Sequence, residues 1–336
     1  MRPFAYERAR DAEAAVRLGA ATGQGQTDAQ TQFLAGGTTL IDLMKLDVLR
    51  PRRIVDITPL RGVHDRIEAS PLGLRLGALT PMAKAAAHPA LMQDYPALVQ
   101  ALEQAASPQL RNMATLGGNV LQRTRCPYFR DPSWEACNKR NPGSGCAAFG
   151  GVNRDHAVLG VDEQCIALYP GDFAVALIAF DAVVEVNGPR GVRWLTFDKL
   201  HLPAGQPHLE HALAPGELIT TIMVPPNAGS RRSLYLKVRD RASYEFAIAS
   251  AAVVLDMDGE RVREARIGLG GVAYRPWRAR EAEAVLADHV LDEASAEAAA
   301  HAAFASAVTH GHNDYKPELG RRTLVRALLQ AKAMEA

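Results

Sequence analysis

Four cysteines carry the plainest chemical signal in the chain. Cys126, Cys137, Cys146 and Cys165 are spaced Cys-x10-Cys-x8-Cys-x18-Cys, with no other cysteine before or after them. Thiolates are the ligands of soft metals and of iron–sulfur clusters. The C-x2-4-C pairs that zinc sites favour are missing, which weakens structural zinc. Four thiolates on a loop can instead hold a [4Fe–4S] cluster, and Cys126 is followed by proline, as in ferredoxin runs. The Pro142-Gly143-Ser144-Gly145 stretch before Cys146 gives a bendable backbone whose N–H groups can turn toward sulfur. Arg123, Arg125, Arg130, Lys139 and Arg140 supply positive charge that would help hold thiolates and raise a cluster's reduction potential. The competing reading is four separate thiols packed as small hydrophobes. It expects cysteines in strands and helices, whereas at least three of these sit in polar, Gly/Pro-rich sequence. Spacing alone leaves both readings open. Trp134, in the same segment, would shield a cluster from water.

The second signal is a pair of glycine-rich turns. Phe33-Leu34-Ala35-Gly36-Gly37-Thr38-Thr39-Leu40-Ile41-Asp42 runs from a short strand into an apolar helix, and Arg111-Asn112-Met113-Ala114-Thr115-Leu116-Gly117-Gly118-Asn119 repeats the Gly-Gly theme. Glycine lets backbone N–H groups approach a phosphate closely. Neither segment is a G-x-G-x-x-G or a G-x-x-x-x-G-K-[ST] motif, and each alone reads equally as an ordinary turn. His208 and His211, and the group His310, His312 and Asp314, lack a matching ligand pattern and read as surface loops. No G-x-S-x-G elbow is present.

The elements that must position these residues follow from periodicity. A strand at Phe4 to Tyr6 leads into a helix capped by Asp11, and a Gln/Gly-rich loop covers Thr22 to Thr31. Strands are expected at 33–35, 54–57 and 74–79, with helical signals from Pro81 to Ala106. Residues 123–165 read as a long irregular insert, a length that is usually functional. Asp172 reads as the cap of a helix through Ala182, followed by a strand at 183–186. Pro225 to Ser230 has linker composition. Strands at 233–239, 249–257 and 264–270 precede helices at 278–286, 294–308 and 319–333. The pattern is α+β, with a first domain over 1–226 and a second over 231–336.

Composition narrows the function classes. The 336 residues carry 38 basic and 37 acidic side chains, a net charge of +1. Such balance disfavours nucleic-acid binding and polybasic membrane contact. The arginines at 50, 52 and 53 read as a solvated face. The best apolar run, Phe173 to Phe180, is far short of the ~20 residues of a membrane span. The N-terminal residues lack the apolar core of a secretory signal, so the expected location is cytoplasmic, or periplasmic by co-export with a signal-bearing partner.

The two glycine segments in this order resemble the FAD-binding subunits of the xanthine dehydrogenase/molybdenum hydroxylase family. Tyr169-Pro170-Gly171-Asp172-Phe173, Pro215-Gly216-Glu217-Leu218-Ile219 and Leu236-Lys237-Val238-Arg239 support the likeness, which extends over nearly the whole chain. The resemblance implies a vanillyl-alcohol-oxidase (PCMH)-type two-subdomain FAD-binding fold, followed by an α+β domain of the CO dehydrogenase flavoprotein type. It implies that Leu34, Ala35, Gly36, Gly37, Thr38, Thr39, Leu40, Ile41 and Asp42 wrap the FAD pyrophosphate and ribityl chain. Thr115, Gly118 and Asn119 would form a second cradle. Asp172 would hydrogen-bond the flavin side of the cofactor and Lys237 would lie near the isoalloxazine, against the plainer readings of a helix cap and a solvated strand residue. Tyr244 and Glu245 follow in a loop that could reach the flavin.

Most of that family lacks the cysteine insert. This one resembles the subgroup of three-subunit periplasmic aldehyde oxidoreductases, with the benzoyl-CoA reductase type as runner-up, and so implies a [4Fe–4S] cluster on Cys126, Cys137, Cys146 and Cys165. The implied partners are a molybdenum-cofactor-binding large subunit, a [2Fe–2S] small subunit and an external electron acceptor. The implied role is electron relay, for which no catalytic acid–base pair is named. Two other classes stay open at this point: a stand-alone NAD(P)H-using flavin reductase, which predicts turnover by the isolated chain, and a metal scaffold without flavin, which predicts metal alone.

Overall fold

The computed structural model describes residues 1–20 and 26–335. The first residues of the expected Gln/Gly loop, 22–25, lie outside them. Twelve strands form three sheets: β1 Ala5–Arg8, β2 Thr31–Leu34, β3 Arg53–Asp56, β4 Ile67–Ser70, β5 Gly73–Gly77, β6 Val183–Gly188, β7 Gly191–Thr196, β8 Leu218–Val224, β9 Ser233–Val238, β10 Ala249–Asp258, β11 Arg261–Gly270 and β12 Trp277–Arg278.

The N-terminal sheet has the order β1-β3-β2 and is wholly parallel. Parallel neighbours cannot be joined by a hairpin, so each connection carries other structure. Between β1 and β2 lies the helix Ala12–Gly19, whose N-cap Asp11 accepts from the Ala14 N–H at 2.7 Å as its sequence requires. Between β2 and β3 the chain makes the first glycine segment and the helix Leu40–Lys45, which buries Leu40, Leu43 and Met44.

The second sheet is antiparallel, in the order β4-β5-β8-β6-β7. The chain leaves β8 through the Pro225–Ser230 stretch and enters a third, antiparallel sheet, β12-β11-β10-β9. The long final helix Lys316–Lys332 packs on β10 and β9 of that sheet, and the helix Glu293–Ala303 packs against Lys316–Lys332. The apolar helix Asp172–Ala179 is buried along its whole length, between the helix Pro96–Glu103 and β11. All-round burial explains why this segment is apolar on every face.

Four expectations change. The helical signal from Pro81 to Ala106 becomes three short helices, 82–86, 89–94 and 96–103, because Pro89 and Pro96 each start a new one. The second glycine segment is no turn: it ends the helix Pro108–Met113 and opens the helix Leu116–Val120, with Gly117 and Gly118 inside that helix. Thr115 makes this possible, since its hydroxyl caps the Gly118 N–H at 3.2 Å. The helix expected to run from Asp172 to Ala182 stops at Ala179, and Asp172 is its first residue with Gly171 at the cap. Its carboxylate is occupied elsewhere, as described below.

The cysteine-bearing stretch is irregular as expected, holding one short helix, Pro127–Arg130, and isolated bridges such as Cys137 to Cys146. It is nonetheless anchored. The Val158 and Leu159 N–H groups both donate to the Val272 carbonyl, at 2.8 and 3.0 Å, and the Tyr169 N–H donates to the Ala273 carbonyl at 3.1 Å. No helix among the described residues is long and apolar enough to cross a membrane.

Candidate functional site

A cleft of about 390 Å³ opens between the first two sheets, and the two glycine segments form facing parts of its wall. Ala35 to Leu40 line one side and Thr115, Gly117 and Gly118 another; a third wall comes from the 209–219 segment leading into β8. The Gly36-to-Leu40 run has a special backbone. Gly37 has φ of +75°, where side chains are strained. A Cβ on Gly36 would sit 2.1 Å from the Met113 carbonyl oxygen, so glycine is what lets the two segments meet. Among the described residues, none of the main-chain N–H groups from Gly36 to Leu40 finds an acceptor. Buried or cleft-lining N–H groups without partners are rare in folded proteins, and a row of them is what an anionic diphosphate would accept from.

The second segment contributes differently. Its N–H groups are spent internally: Leu116 donates to the Thr80 carbonyl at 2.9 Å, Gly117 to Ala78 at 2.8 Å and Asn119 to Thr115 at 2.7 Å. What remains for the cleft is the bare Gly118 surface; Asn119, whose Oδ1 is buried without a partner, lies off the cleft wall. The row of unpaired N–H groups from Gly36 to Leu40 is the feature that an FAD diphosphate would use. The residues therefore fit FAD.

Leu34, Ile41 and Asp42 lie off the cleft wall. Asp42 is instead the hub of a salt bridge to the cysteine segment: its carboxylate takes Arg130 at 2.9 and 3.1 Å and Arg125 at 3.0 Å. Partial burial alone would raise the Asp42 carboxyl, but Arg130 and Arg125 outweigh it and hold it below the usual carboxylate range. Asp172 and Lys237 come together, 2.8 Å apart and both buried, with the Tyr235 hydroxyl donating to the other carboxylate oxygen at 2.5 Å. Burial pushes Asp172 up, against the lowering effect of Lys237. Neither residue lines the cleft wall. Tyr244 is exposed at positive φ (+53°), with its ring beside Arg241.

The cysteines are four free thiols. Cys126 is shared by three apolar clusters, which between them also hold Cys137, Cys146 and Cys165. Cys137 and Cys146 are joined by an isolated β-bridge, and the Ala167 N–H donates to the Cys165 sulfur at 3.5 Å. Burial pushes the Cys126 thiol up to about 12. Among the described residues no three of His, Cys, Asp and Glu converge on a single-ion site. Trp134 is half exposed, edge-on to Tyr128 at 5.0 Å.

Between thiols and cleft lies a charged group that has no mark in the local sequence. The Glu210 carboxylate takes Arg123 and, at 2.9 Å, Lys139, and Lys139 also donates to the Tyr274 hydroxyl at 2.8 Å. All four residues line the cleft. Burial works against Glu210's charge, but Arg123 and Lys139 outweigh it and lower the carboxyl to about 2. Lys139 is raised despite its burial, chiefly by Glu210. His211, expected on a surface loop, is a correction: it lines the cleft, held by Gln26 at 3.0 Å, and burial lowers it to about 4 so that it is neutral. The Gln26 side chain, 185 residues away, is what pulls the 208–211 segment inward. His312 and Asp314 are exposed as expected.

Comparison with known proteins agrees with this layout. The family described as the FAD binding domain in molybdopterin dehydrogenase matches residues 2–227, and the CO dehydrogenase flavoprotein C-terminal domain matches residues 234–331. The chain is 46% identical over 337 residues to the aldehyde oxidoreductase FAD-binding subunit PaoB of Escherichia coli, covering 99% of each. It is 29% identical to the carbon monoxide dehydrogenase medium chain of Afipia carboxidovorans, over 89% of this chain and 88% of that one. In structure it superposes on reconstituted CO dehydrogenase from Oligotropha carboxidovorans with a TM-score of 0.75 at 27% identity, covering 100% of both chains.

Proposed function

The chain belongs to the FAD-binding family of the molybdopterin dehydrogenases and is an oxidoreductase subunit, and from that premise we propose that it is the FAD- and [4Fe–4S]-containing electron-transfer subunit of a molybdenum-dependent aldehyde oxidoreductase. The observation that carries the reading is the pairing of a glycine-walled cleft, with unpaired N–H groups from Gly36 to Leu40, with four free thiols gathered behind it. The aldehyde class rests on the E. coli relative, which matches from end to end.

Gly36 to Leu40 would hold the diphosphate of FAD, and Thr115 and Gly118 would abut its ribityl chain. FAD when bound supplies the redox chemistry; the protein supplies binding, orientation and electrostatics. Cys126, Cys137, Cys146 and Cys165 would hold the cluster. A single-ion site needs its ligands on one point, but a [4Fe–4S] cluster offers one iron to each of four thiolates, so its ligands surround a volume. Four free thiols gathered in adjoining apolar clusters suit that demand. The Glu210–Lys139–Arg123 group keeps fixed charge between the two sites, and the neutral His211 adds none. The Asp42 bridge ties the cysteine segment to the flavin-binding helix, so the two sites hold one spacing. On this reading a molybdenum-cofactor large subunit and a [2Fe–2S] small subunit complete the enzyme, and an external acceptor takes the electrons.

The test is the visible spectrum of anaerobically purified protein, with iron and acid-labile sulfide assays before and after dithionite. Flavin bands with about four irons per chain are expected. Flavin without iron or sulfide would overturn the cluster assignment, and folded protein that binds no flavin would overturn the larger reading.

A further inference from the structure

We propose that His156 is a positioning residue of the cysteine site, whose Nε2–H donates to the Cys126 sulfur and sets the reduction potential of the group bound there. The inference rests on the iron–sulfur reading above.

The geometry is specific. His156 Nε2 lies 3.2 Å from Cys126 Sγ, and the residue is 3% exposed. Its other ring nitrogen, Nδ1, is buried without a partner. The contact to sulfur is therefore the one hydrogen bond the ring makes among the described residues. A neutral imidazole carries one proton, on one of its two ring nitrogens. With that proton on Nδ1, the Nε2 lone pair would face the electron-rich sulfur. With it on Nε2, a donor faces the sulfur. A thiolate at Cys126 thus selects the Nε2–H form.

The ring is also held in place. The His156 N–H donates to the Asn153 carbonyl at 3.0 Å, and the next residue's N–H donates to the Ile166 carbonyl at 3.0 Å. Asn153 is itself fixed, donating to the Ala148 carbonyl at 3.2 Å and the His310 carbonyl at 2.8 Å. The Tyr128 ring lies 6.0 Å away on one side. Cys126 and His156 are 30 residues apart in sequence, so the pairing is a product of the fold and not of local turn geometry.

A donor to a ligating sulfur spreads its negative charge and favours the more reduced state, which raises the potential. A hydrogen bond of ordinary net strength is worth up to about tenfold in that equilibrium, or about 59 mV for one electron.

The experiment uses the complete enzyme with its partner subunits, purified anaerobically. Iron and sulfide are assayed in wild type, His156→Leu and His156→Gln, and the cluster's midpoint potential is measured by EPR-monitored titration. The expected result is unchanged iron in all three, a potential lowered by up to about 59 mV in the Leu variant, and a smaller shift in the Gln variant, which retains an N–H donor. If the Leu variant does not load, His156→Asn, too short to reach the sulfur, takes its place with the same expected drop. Loaded variants whose potential equals that of the wild type overturn the proposal and leave the cluster intact. Wild-type enzyme without iron or sulfide overturns the cluster reading itself, and this inference with it.

Discussion

Gly36→Ala tests the cleft most directly. The added Cβ would lie 2.1 Å from the Met113 carbonyl oxygen, 2.7 Å from its carbon and 3.0 Å from the Ala114 Cα, all of them backbone. Ordinary contact begins at 3.4 Å, so the two glycine segments must part by more than an ångström, and no side chain can rotate to absorb it. Overpacking of this kind costs about 1–3 kcal/mol. If that strain falls on the cofactor-binding arrangement, FAD affinity drops by about 5- to 150-fold. Gly62→Ala is the control, because nothing lies within 4 Å of a Cβ there, and its effect should stay within about 0.5 kcal/mol. The assay is flavin retained after gel filtration, with Kd from flavin fluorescence quenching and Tm from the apoprotein. A Gly36→Ala protein with wild-type Kd, whether or not its Tm falls, would refute the claim that the meeting of these segments builds the cofactor site.

Further expectations follow from the charged and thiol groups. Cys146→Ser should lose iron and keep flavin, since none of the four cysteines lines the cleft; loss of both in equal measure, read from the spectrum, would contradict the separation of the sites. Glu210→Gln leaves Lys139 and Arg123 facing an uncharged amide, and breaking a buried pair of this kind costs about 3–5 kcal/mol; chemical denaturation should show it, with part of the loss recovered in Glu210→Gln/Lys139→Met. Because the folded Glu210 carboxyl is depressed to about 2 from an ordinary 4.5, its contribution is present above pH 4.5 and is lost as the pH falls from there toward 2, so the gap between wild type and Glu210→Gln should close over that window. Asp42→Asn should cost no more than about 1 kcal/mol, because the bridge is partly solvated; a loss of several kcal/mol in denaturation would show that the bridge organises more than two side chains.

Much of the scaffold follows from local rules. Asp11 at its helix start and the apolar run of β10 act over a few residues, so the sequence exposes them directly. The first glycine segment was legible for the same reason: its strand, its glycines and its helix are contiguous. The second was misread because a Gly-Gly pair signals a turn, whereas Thr115 caps the Gly118 N–H and the Ala78 and Thr80 carbonyls extend the helix's hydrogen bonding from another part of the chain. Asp172 was misread as a cap because its true partners, Tyr235 and Lys237, lie 63 and 65 residues away. Glu210 gave no signal, since Leu209 and His211 beside it say nothing of Arg123, 87 residues upstream. Partners of buried charge are set by tertiary packing, which local pattern does not encode.

The same long-range pairing explains how a cysteine-bearing insert can join an FAD fold without loosening it. The irregular stretch from Leu121 to Gly171 holds one short helix among its turns, and long connections of this kind tend to move unless they are tied down. Here it is pinned at three places by partners outside itself. Arg125 and Arg130 reach Asp42 at the start of the flavin-side helix, Lys139 and Arg123 close on Glu210 beside the cleft, and the Val158–Leu159 pair joins the segment just past β11 at Val272. Each pin uses a different element, so the segment cannot pivot on any one of them. On the reading proposed above, the three anchors at Asp42, Glu210 and Val272 would keep the spacing between flavin and cluster fixed.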